Sequence, residues 1–394
     1  MSDNPLVTAI VSTYNSERFL RGCLDDLVRQ TIADRLEIIV VVSGSEEGED
    51  AIVREYQSRF TNIVGLRTLA REKLYTAWNR ACRIAHGKYL TNANTDDRLH
   101  PRAYEKMASV LEAFPDVGLV YCDCLETEVE NETFETTRST RHYENIQDHS
   151  LYDLLRYCYV GPFPMWRRCL HDEIGYFDDE MTSSSDYEFW IRIASRHKML
   201  HLRETLGLFL SHDCSLSHQN VGAIESEQVM RCARRTIELE RVFPDPRIAT
   251  DPPTRAIALT AMAELCLSGP WYKHPDLALE FLDRAAREGA SNVILDNNRA
   301  VLLAAVRNRL VDAVHLFEKH LNEPAVRRNL QRLKEWNGLD ADLPLEMMLV
   351  QHPMVEAARR KHGINPEDVP PLSDNPSRNK SEQSSALSPA EMEG

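Results

Sequence analysis

The sequence contains no apolar stretch that approaches the roughly 18–20 residues a membrane-spanning helix needs. Its first residues lack the basic region and the cleavage site of a secretory signal peptide. Nine cysteines are scattered without a C-x-x-C pair, so neither a zinc site nor a disulfide framework is expected. These absences favour a protein with reduced thiols that is cytoplasmic, or peripheral at the inner face of a membrane.

Basic residues are also in the minority, with 46 Lys and Arg against 61 Asp and Glu, which gives a formal net charge of -15. A field of that sign repels phosphate backbones, so nucleic acid is not expected as a partner. The sequence has no Walker-type phosphate loop and no G-x-G-x-x-G motif, so a bound nucleotide must be held by other groups. The 394 residues, 43% of them hydrophobic, predict a globular chain of two or three domains.

Two structural periods alternate over the first 125 residues. Short β-branched and apolar runs, typical of buried strands, occupy 7–13, 36–42, 63–66, 88–91 and 117–124. The segments between them carry apolar residues at helical spacing. Strands that alternate with helices predict β-α-β units, and hence an α/β fold with a mostly parallel sheet and helices on both faces.

A helical period takes over from residue 222, where Ala, Leu, Arg and Glu dominate. Two similar segments, 276–288 and 311–323, are offset by about 35 residues and loosely resemble tetratricopeptide helix pairs, although an ordinary helical bundle is an equal alternative. The last residues are polar and cannot bury enough surface to offset the entropy of ordering. The sequence therefore predicts an α/β domain at 1–221, an all-α domain at 222–345, an extension at 346–369 and a disordered tail at 370–394.

Polar side chains mark the ends of three predicted strands. They are Thr13, Tyr14, Asn15, Ser43, Asn94, Asp96 and Asp97. Because ligands of open α/β sheets bind beyond the carboxyl ends of the strands, we expect these side chains to converge on one crevice. The adjacent carboxylates Asp96 and Asp97 suit Mg²⁺ or Mn²⁺, which also bind substrate phosphates, whereas a solvated turn is the alternative for an isolated pair.

Several motifs occur in a specific order along the chain. They are V-T-A-I-V-S-T-Y-N at 7–15, Q-T at 30–31, E-I-I-V-V-V-S-G-S at 37–45, A-W-N-R-A at 77–81, A-H-G-K-Y-L at 85–90, N-T-D-D at 94–97 and S-D-Y-E-F-W-I-R at 185–192. Together they resemble the family 2 glycosyltransferases, nucleotide-sugar-dependent enzymes of the GT-A fold. The likeness covers residues 5–220 and implies a Rossmann-related, GT-A-like domain that precedes the all-α region.

The resemblance implies a role for each matched position. Thr13 and Tyr14 correspond to a strand end that packs on the nucleotide base, and Asp186 corresponds to the general base that begins a D-x-x-x-W helix. The residues assigned to the nucleotide sugar are Thr13, Tyr14, Asn15, Ser43, Asn94 and Asp96. The residues assigned to a Mn²⁺ or Mg²⁺ ion are Asp96, Asp97 and His212, the last by likeness to a histidine near the diphosphate.

Five positions depart from the family pattern. Val42 and Ser43 stand where two carboxylates often contact the base or the ribose. Asn94 replaces the first aspartate of a D-x-D motif, Trp78 replaces a frequent arginine, and Ser12 replaces a usual proline. These departures leave the identity of the nucleotide open.

The features together predict an inverting glycosyltransferase. One carboxylate that takes the acceptor proton, without an enzyme nucleophile, gives a single displacement with inversion at the anomeric carbon. The expected donor is a nucleotide-diphospho-sugar, and the expected acceptor is a hydroxyl of a glycan, a lipid-linked sugar or a protein. The all-α region is expected to bind a protein partner or to self-associate. The alternatives are a nucleotide-sugar-binding protein with impaired catalysis and a scaffold whose helical repeats bind a protein.

Overall fold

The computed structural model describes residues 5–143, 146–211, 220–268, 272–289, 292–336 and 345–372. The strands are β1 (Val7–Thr13), β2 (Leu36–Ser43), β3 (Ile63–Thr68), β4 (Tyr89–Asn92), β5 (Arg98–Leu99), β6 (Val117–Thr127), β7 (Pro164–Arg167), β8 (Lys198–Leu210) and β9 (Gly363–Ile364). The helices are α1 (Glu17–Val28), α2 (Glu49–Arg59), α3 (Leu74–Ile84), α4 (Ala103–Ala113), α5 (Leu151–Leu154), α6 (Leu170–Ile174), α7 (Ser185–Ala194), α8 (Asn220–Thr236), α9 (Leu239–Val242), α10 (Pro252–Leu267), α11 (Pro275–Arg287), α12 (Val293–Arg307), α13 (Leu310–Glu318), α14 (Pro324–Glu335) and α15 (Pro353–Ala358).

One mixed sheet contains all of these strands. Their order is β3-β2-β1-β4-β7-β6-β8-β5, and β9 also pairs with β8. The first four strands in that order run parallel to one another. Strand β7 is antiparallel to both of its neighbours, β4 and β6, and β8 is again parallel to β6. The predicted α/β class with a mostly parallel sheet is confirmed. The sequence pattern did not predict β7, the strand that interrupts the parallel order.

Helices cover both faces of the sheet because its central strands are apolar on both sides. Along β1, Ala9 and Val11 share a core cluster with α1, α2 and α4, whereas Ile10 shares one with α3 and α7. This alternation follows from the two-residue period of a strand. On α1 the buried residues are Phe19, Leu20, Cys23, Leu24 and Leu27, which is the face that helical spacing predicts.

The helices from α8 to α14, called the helical half below, share one of these two cores with the sheet. The cluster that contains Ile10 continues into α8 and into α10 to α14. Arg234 of α8 has no exposed surface, and its Nε donates to the carbonyl oxygen of Leu155 at 2.7 Å. Consecutive helices from α10 to α14 pack on one another. The likeness to tetratricopeptide repeats and the boundary after residue 221 remain predictions, and the contacts of α8 cross that boundary.

The segment 346–369 runs from the helices back to the sheet. Asn298 of α12 donates from Nδ2 to the carbonyl oxygen of Met348 at 2.7 Å, and β9 then pairs in parallel with β8. From residue 373 onward the predicted tail, 370–394, lies outside the described residues. Among the helices of the described ranges, none has the length and the apolar character to cross a membrane.

We expect a chain that ends at residue 345 to be less stable than one that ends at residue 372. The buried side chains of Asn298 and Asn329 bond to the backbone of Met348 and Glu346, and each buried polar group that loses its partner costs about 1–3 kcal/mol. The longer chain is the control, because it retains β9 and these bonds. Urea unfolding measures the difference, and equal unfolding midpoints would contradict the expectation.

Candidate functional site

Three predicted strand ends meet at one edge of the sheet. Thr13, at the end of β1, is in register with Val42 of β2. On the other side of β1, the chain that leaves β4 donates from the N–H of Ala93 to the carbonyl oxygen of Ile10 at 2.8 Å. The strand ends therefore share the carboxyl edge, which is where open α/β sheets bind ligands.

A buried carboxylate, Glu49 of α2, ties the ends of β1 and β2 together. Glu49 has no exposed surface. Oε1 accepts the N–H of Ser16 at 2.8 Å and lies 3.5 Å from the hydroxyl of Thr13, while Oε2 accepts the hydroxyl of Ser45 at 2.7 Å. The sequence did not point to Glu49, because Ser16 is 33 residues away along the chain.

Asn15 has a left-handed backbone, with a φ of 49° that asparagine tolerates better than most residues. Its N–H donates to Ser45 Oγ at 3.0 Å, and its Oδ1 lies 3.1 Å from the same hydroxyl. In the facing turn Gly44 has a φ of 59°, and a Cβ at this position would lie 2.3 Å from the backbone nitrogen of Arg71. Asn15 and Gly44 therefore shape two interlocked turns at the strand ends.

Tyr14 and Arg71 form the exposed surface of this edge. The guanidinium of Arg71 lies 4.1 Å from the centroid of the Tyr14 ring, and Tyr14 is 36% exposed. Ser43 and Val42, in contrast, are buried, and Ser43 Oγ accepts the N–H of Glu72 at 2.7 Å. The exposed groups of this edge are therefore an aromatic ring and a cation above it, both of which can stack on a planar ring.

The turn that carries Asp97 is held from inside the protein. Asp97 is buried, and its two carboxylate oxygens accept the N–H of Leu210 at 3.1 Å and Nδ2 of Asn94 at 2.9 Å. Burial, and to a lesser extent the charge of Asp96, raise the pKa of Asp97 well above its usual range. Both oxygens of Asp97 are thus already bonded to this loop and to the end of β8.

Arg98 fixes the same turn, and the sequence did not single it out. Its buried guanidinium donates to the carbonyl oxygens of Thr95 at 2.9 Å and of Asp97 at 2.6 Å. Asp96, between these two residues, is partly exposed. His212, the third residue assigned to a metal, lies outside the described residues. Over the described ranges, no three His, Cys, Asp or Glu side chains lie close enough to hold an ion.

Asp186, the second residue of α7, occupies a separate part of the site. Its Oδ1 accepts the hydroxyl of Tyr75 at 3.0 Å and the N–H of Tyr187 at 2.8 Å. Burial raises the pKa of Asp186 to about 6. Tyr75 belongs to α3, and three residues before it Glu72 is bonded to Ser43, so the chain connects Asp186 to the strand ends. A carboxyl group with a pKa near neutrality is suited to accept a proton.

Glu225 of α8 holds the segment that leads into α7. Its carboxylate accepts the N–H groups of Thr182 at 2.8 Å, of Ser183 at 2.7 Å and of Ser184 at 3.2 Å. Ser184 is the N-cap residue of α7, and N–H groups at a helix start need such acceptors. The sequence did not point to Glu225, because it lies beyond the boundary predicted for the α/β domain.

Two of the departures from the family pattern contact each other. Trp78 Nε1 donates to Ser12 Oγ at 3.3 Å, and the indole is buried in the core under β1. Its ring also meets Tyr75 edge to face, with 5.5 Å between the centroids. Trp78 therefore acts in packing behind the site.

The mixed sheet with its strand-end site has the architecture of the GT-A fold. Residues 8–174 match glycosyl transferase family 2, the family that the motifs resemble.

Relatives and solved structures agree with this assignment. An uncharacterized glycosyltransferase of Methanocaldococcus jannaschii is 26% identical over 206 residues, 52% of this chain and 70% of that protein. One from Rickettsia typhi is 22% identical over 229 residues, 58% of this chain and 70% of that protein. Among solved structures, residues 1–349 of TarS from S. aureus, in complex with UDP-GlcNAc, match with a TM-score of 0.52 at 16% identity, over 80% of this chain and 92% of that one. The last comparison shows a shared fold, and the family supports glycosyl transfer as the function.

We expect the two adjacent aspartates to differ in what their removal changes. Asp97→Ala leaves the buried N–H of Leu210 without its acceptor and should lower the free energy of unfolding by about 1–3 kcal/mol. Asp96→Ala removes a partly exposed side chain and should lower the free energy of unfolding by less than Asp97→Ala does. Urea unfolding of both variants tests this, and an equal loss of stability in the two would contradict it.

We also expect Asp186→Asn to stabilise the protein at neutral pH. Because the native pKa of Asp186 is about 6 and the unfolded value is lower, ionisation of Asp186 costs stability as the pH rises through the range between the two. Asparagine keeps an oxygen for Tyr75 and Tyr187 and removes this cost. The variant should be more stable by about 1–3 kcal/mol at pH 7.5 and should show no advantage at pH 4. The free energy of unfolding, measured at both pH values, tests this. A variant that is less stable than the unmodified protein at pH 7.5 would contradict the expectation.

Proposed function

We propose that this protein is an inverting glycosyltransferase that moves a sugar from a nucleotide-diphospho-sugar to an acceptor hydroxyl. The observation that carries the proposal is the carboxyl group of Asp186, with a pKa of about 6 and both of its described hydrogen bonds on Oδ1. The other carboxylate oxygen, Oδ2, accepts neither of these two bonds. That oxygen can therefore take the proton of an incoming hydroxyl.

The proposed reaction is a single displacement. The acceptor oxygen forms a bond to the anomeric carbon while its proton passes to Asp186, and the bond from the anomeric carbon to the diphosphate oxygen breaks. The nucleoside diphosphate leaves with the electron pair. Since the attacking and leaving oxygens lie on opposite faces of the sugar, the configuration inverts.

The donor class is supported by the fold shared with TarS, which was solved with UDP-GlcNAc. We place the base against Tyr14, with the Arg71 guanidinium available to stack or to donate. Neither Val42 nor Ser43 carries a carboxylate that could bond to the base. Val42 is buried, and the hydroxyl of Ser43 is bonded to Glu72. We therefore propose that the enzyme discriminates weakly between nucleotide bases.

A Mn²⁺ or Mg²⁺ ion is part of the proposal. Mg²⁺ is commonly held by one or two carboxylates together with substrate phosphates and waters. Asp96 offers a partly exposed carboxylate next to Asp97, whose oxygens accept hydrogen bonds from Asn94 and Leu210. We assign the ion to Asp96 and Asp97, with His212 as a further candidate. When bound, the ion would neutralise charge on the departing diphosphate.

The acceptor is proposed to be a hydroxyl of a glycan, a lipid-linked sugar or a protein. Asp186 lies beside α8, so an acceptor that reaches its carboxylate approaches next to the helical half. We propose that this half contributes to binding the acceptor, a protein partner or a second copy of the chain.

A nucleotide-sugar-binding protein with impaired catalysis is the second candidate. It is favoured by the bonding of both Asp97 oxygens inside the protein and by the buried Val42. The two candidates differ in whether a bound donor is ever cleaved.

Hydrolysis of a panel of nucleotide sugars, with Mn²⁺ and with a chelator, tests the proposal. General-base catalysis contributes about 10²–10⁴-fold, so Asp186→Asn should lose cleavage by that factor while the donor dissociation constant, measured by calorimetry, is unchanged. Chelator should abolish cleavage, and Asp96→Ala should weaken donor binding as well. Donor binding without any cleavage would support the second candidate. Full activity of Asp186→Asn would refute the assigned base, and full activity in chelator would refute the metal.

A further inference from the structure

Asp186 is held by two residues that come from opposite halves of the chain. We infer that Tyr75 and Glu225 are positioning residues for Asp186: Tyr75 orients the carboxylate, and Glu225 fixes the start of the helix that carries it. The inference rests on the proposed function for its catalytic meaning. Its structural basis is a set of hydrogen bonds that leave one carboxylate oxygen available.

The side chain of Tyr75 is fixed by its packing. The residue is 1% exposed, and its ring is packed between Trp78, at 5.5 Å, and Phe177, at 5.9 Å. Its hydroxyl and the N–H of Tyr187 both donate to Oδ1 of Asp186. Two donors on one oxygen fix the rotation of the carboxylate, and so they direct Oδ2 toward an incoming acceptor.

Glu225 acts on the backbone that precedes Asp186. Its carboxylate accepts three successive N–H groups, those of Thr182, Ser183 and Ser184. A second link reinforces the contact, because Ser184 Oγ lies 2.8 Å from Ser226 Oγ, also on α8. A turn of α8 therefore sets the position of the first turn of α7.

The two residues also have opposite electrostatic effects on Asp186. The hydrogen bond from Tyr75 favours the ionised carboxylate, whereas the negative charge of Glu225 disfavours it. Among the described residues, the thiol of Cys158 also interacts with Asp186; burial raises the pKa of this thiol to about 12, so that it stays neutral. Removal of one residue or the other should thus move the pKa of Asp186 in opposite directions.

Glu225 belongs to the segment predicted as a separate all-α domain, 222–345. If it positions the base, that segment takes part in catalysis and does not serve only to bind partners. A chain that ended at residue 221 would lose the cap of α7 together with the buried Arg234, so loss of transfer by it would not show that the acceptor docks on the helices.

The experiment is a titration of the aspartate side-chain carboxyl carbon by NMR, on the full chain without substrate, with Asp186→Asn to assign the signal. Tyr75→Phe should raise the titration midpoint by about one pH unit, because a hydrogen bond to a charged group is lost. Glu225→Gln should lower the midpoint, because a negative charge is lost. Matched controls are Tyr187→Phe, which removes a hydroxyl bonded to Leu154, and Ser226→Ala, which removes a neutral contact of α8. Both controls should titrate like the unmodified protein.

Activity gives the second readout. The acidic side of the pH–rate profile should move with each midpoint, and kcat should fall about tenfold for Tyr75→Phe with the donor KM unchanged. Glu225→Asp keeps the charge with a shorter reach, so it should keep the midpoint and lose kcat; it also serves if Glu225→Gln does not fold. Shifts of opposite sign, followed by the profiles, support the inference. Midpoints equal to those of the controls overturn it. Full transfer by Asp186→Asn overturns the proposed function, while the titrations still decide whether the two residues hold the carboxylate.

Discussion

The arrangement of the carboxyl edge of the sheet depends on the hydrogen bonds of the Glu49 carboxylate. It is buried without exposed surface, and it accepts hydrogen bonds from the turn after β1 and from the turn after β2. Loss of the carboxylate would leave the backbone N–H of Ser16 without an acceptor, and the two turns that expose Tyr14 would no longer be fixed to each other.

Other carboxylates around the site also accept hydrogen bonds from backbone N–H groups. Asp97 accepts the N–H of Leu210 and joins the 94–97 turn to the end of β8, and Glu225 accepts the N–H groups that precede α7. Asp26 of α1 accepts the N–H of Leu99 at 3.0 Å, and burial raises the pKa of Asp26 to about 6. Carboxylates that bond to backbone N–H groups therefore hold several of the loops around the candidate site.

Much of the fold could be predicted from local pattern. The bounds of β1 follow from a short β-branched and apolar run, the buried face of α1 follows from the period of 3.6 residues, and the family motifs identify Asp186 at a helix start. What the sequence could not reveal depends on pairs that are distant along the chain. Tyr75 and Asp186 are 111 residues apart, and Glu225 is 42 residues from Ser183. Strand β9 is only two residues long, too short to show any alternation.

That short strand has a consequence for how the chain folds as it is made. The first half of β8 pairs on its outer edge with β9, and Arg203 of β8 bonds to Asn365, 162 residues later. During synthesis from the N-terminus, the sheet is exposed to the cell with an open edge until the whole helical half has left the ribosome. Unpaired strand edges invite association with other chains. Shortening of the C-terminal segment would therefore leave this edge of β8 open for association with other chains.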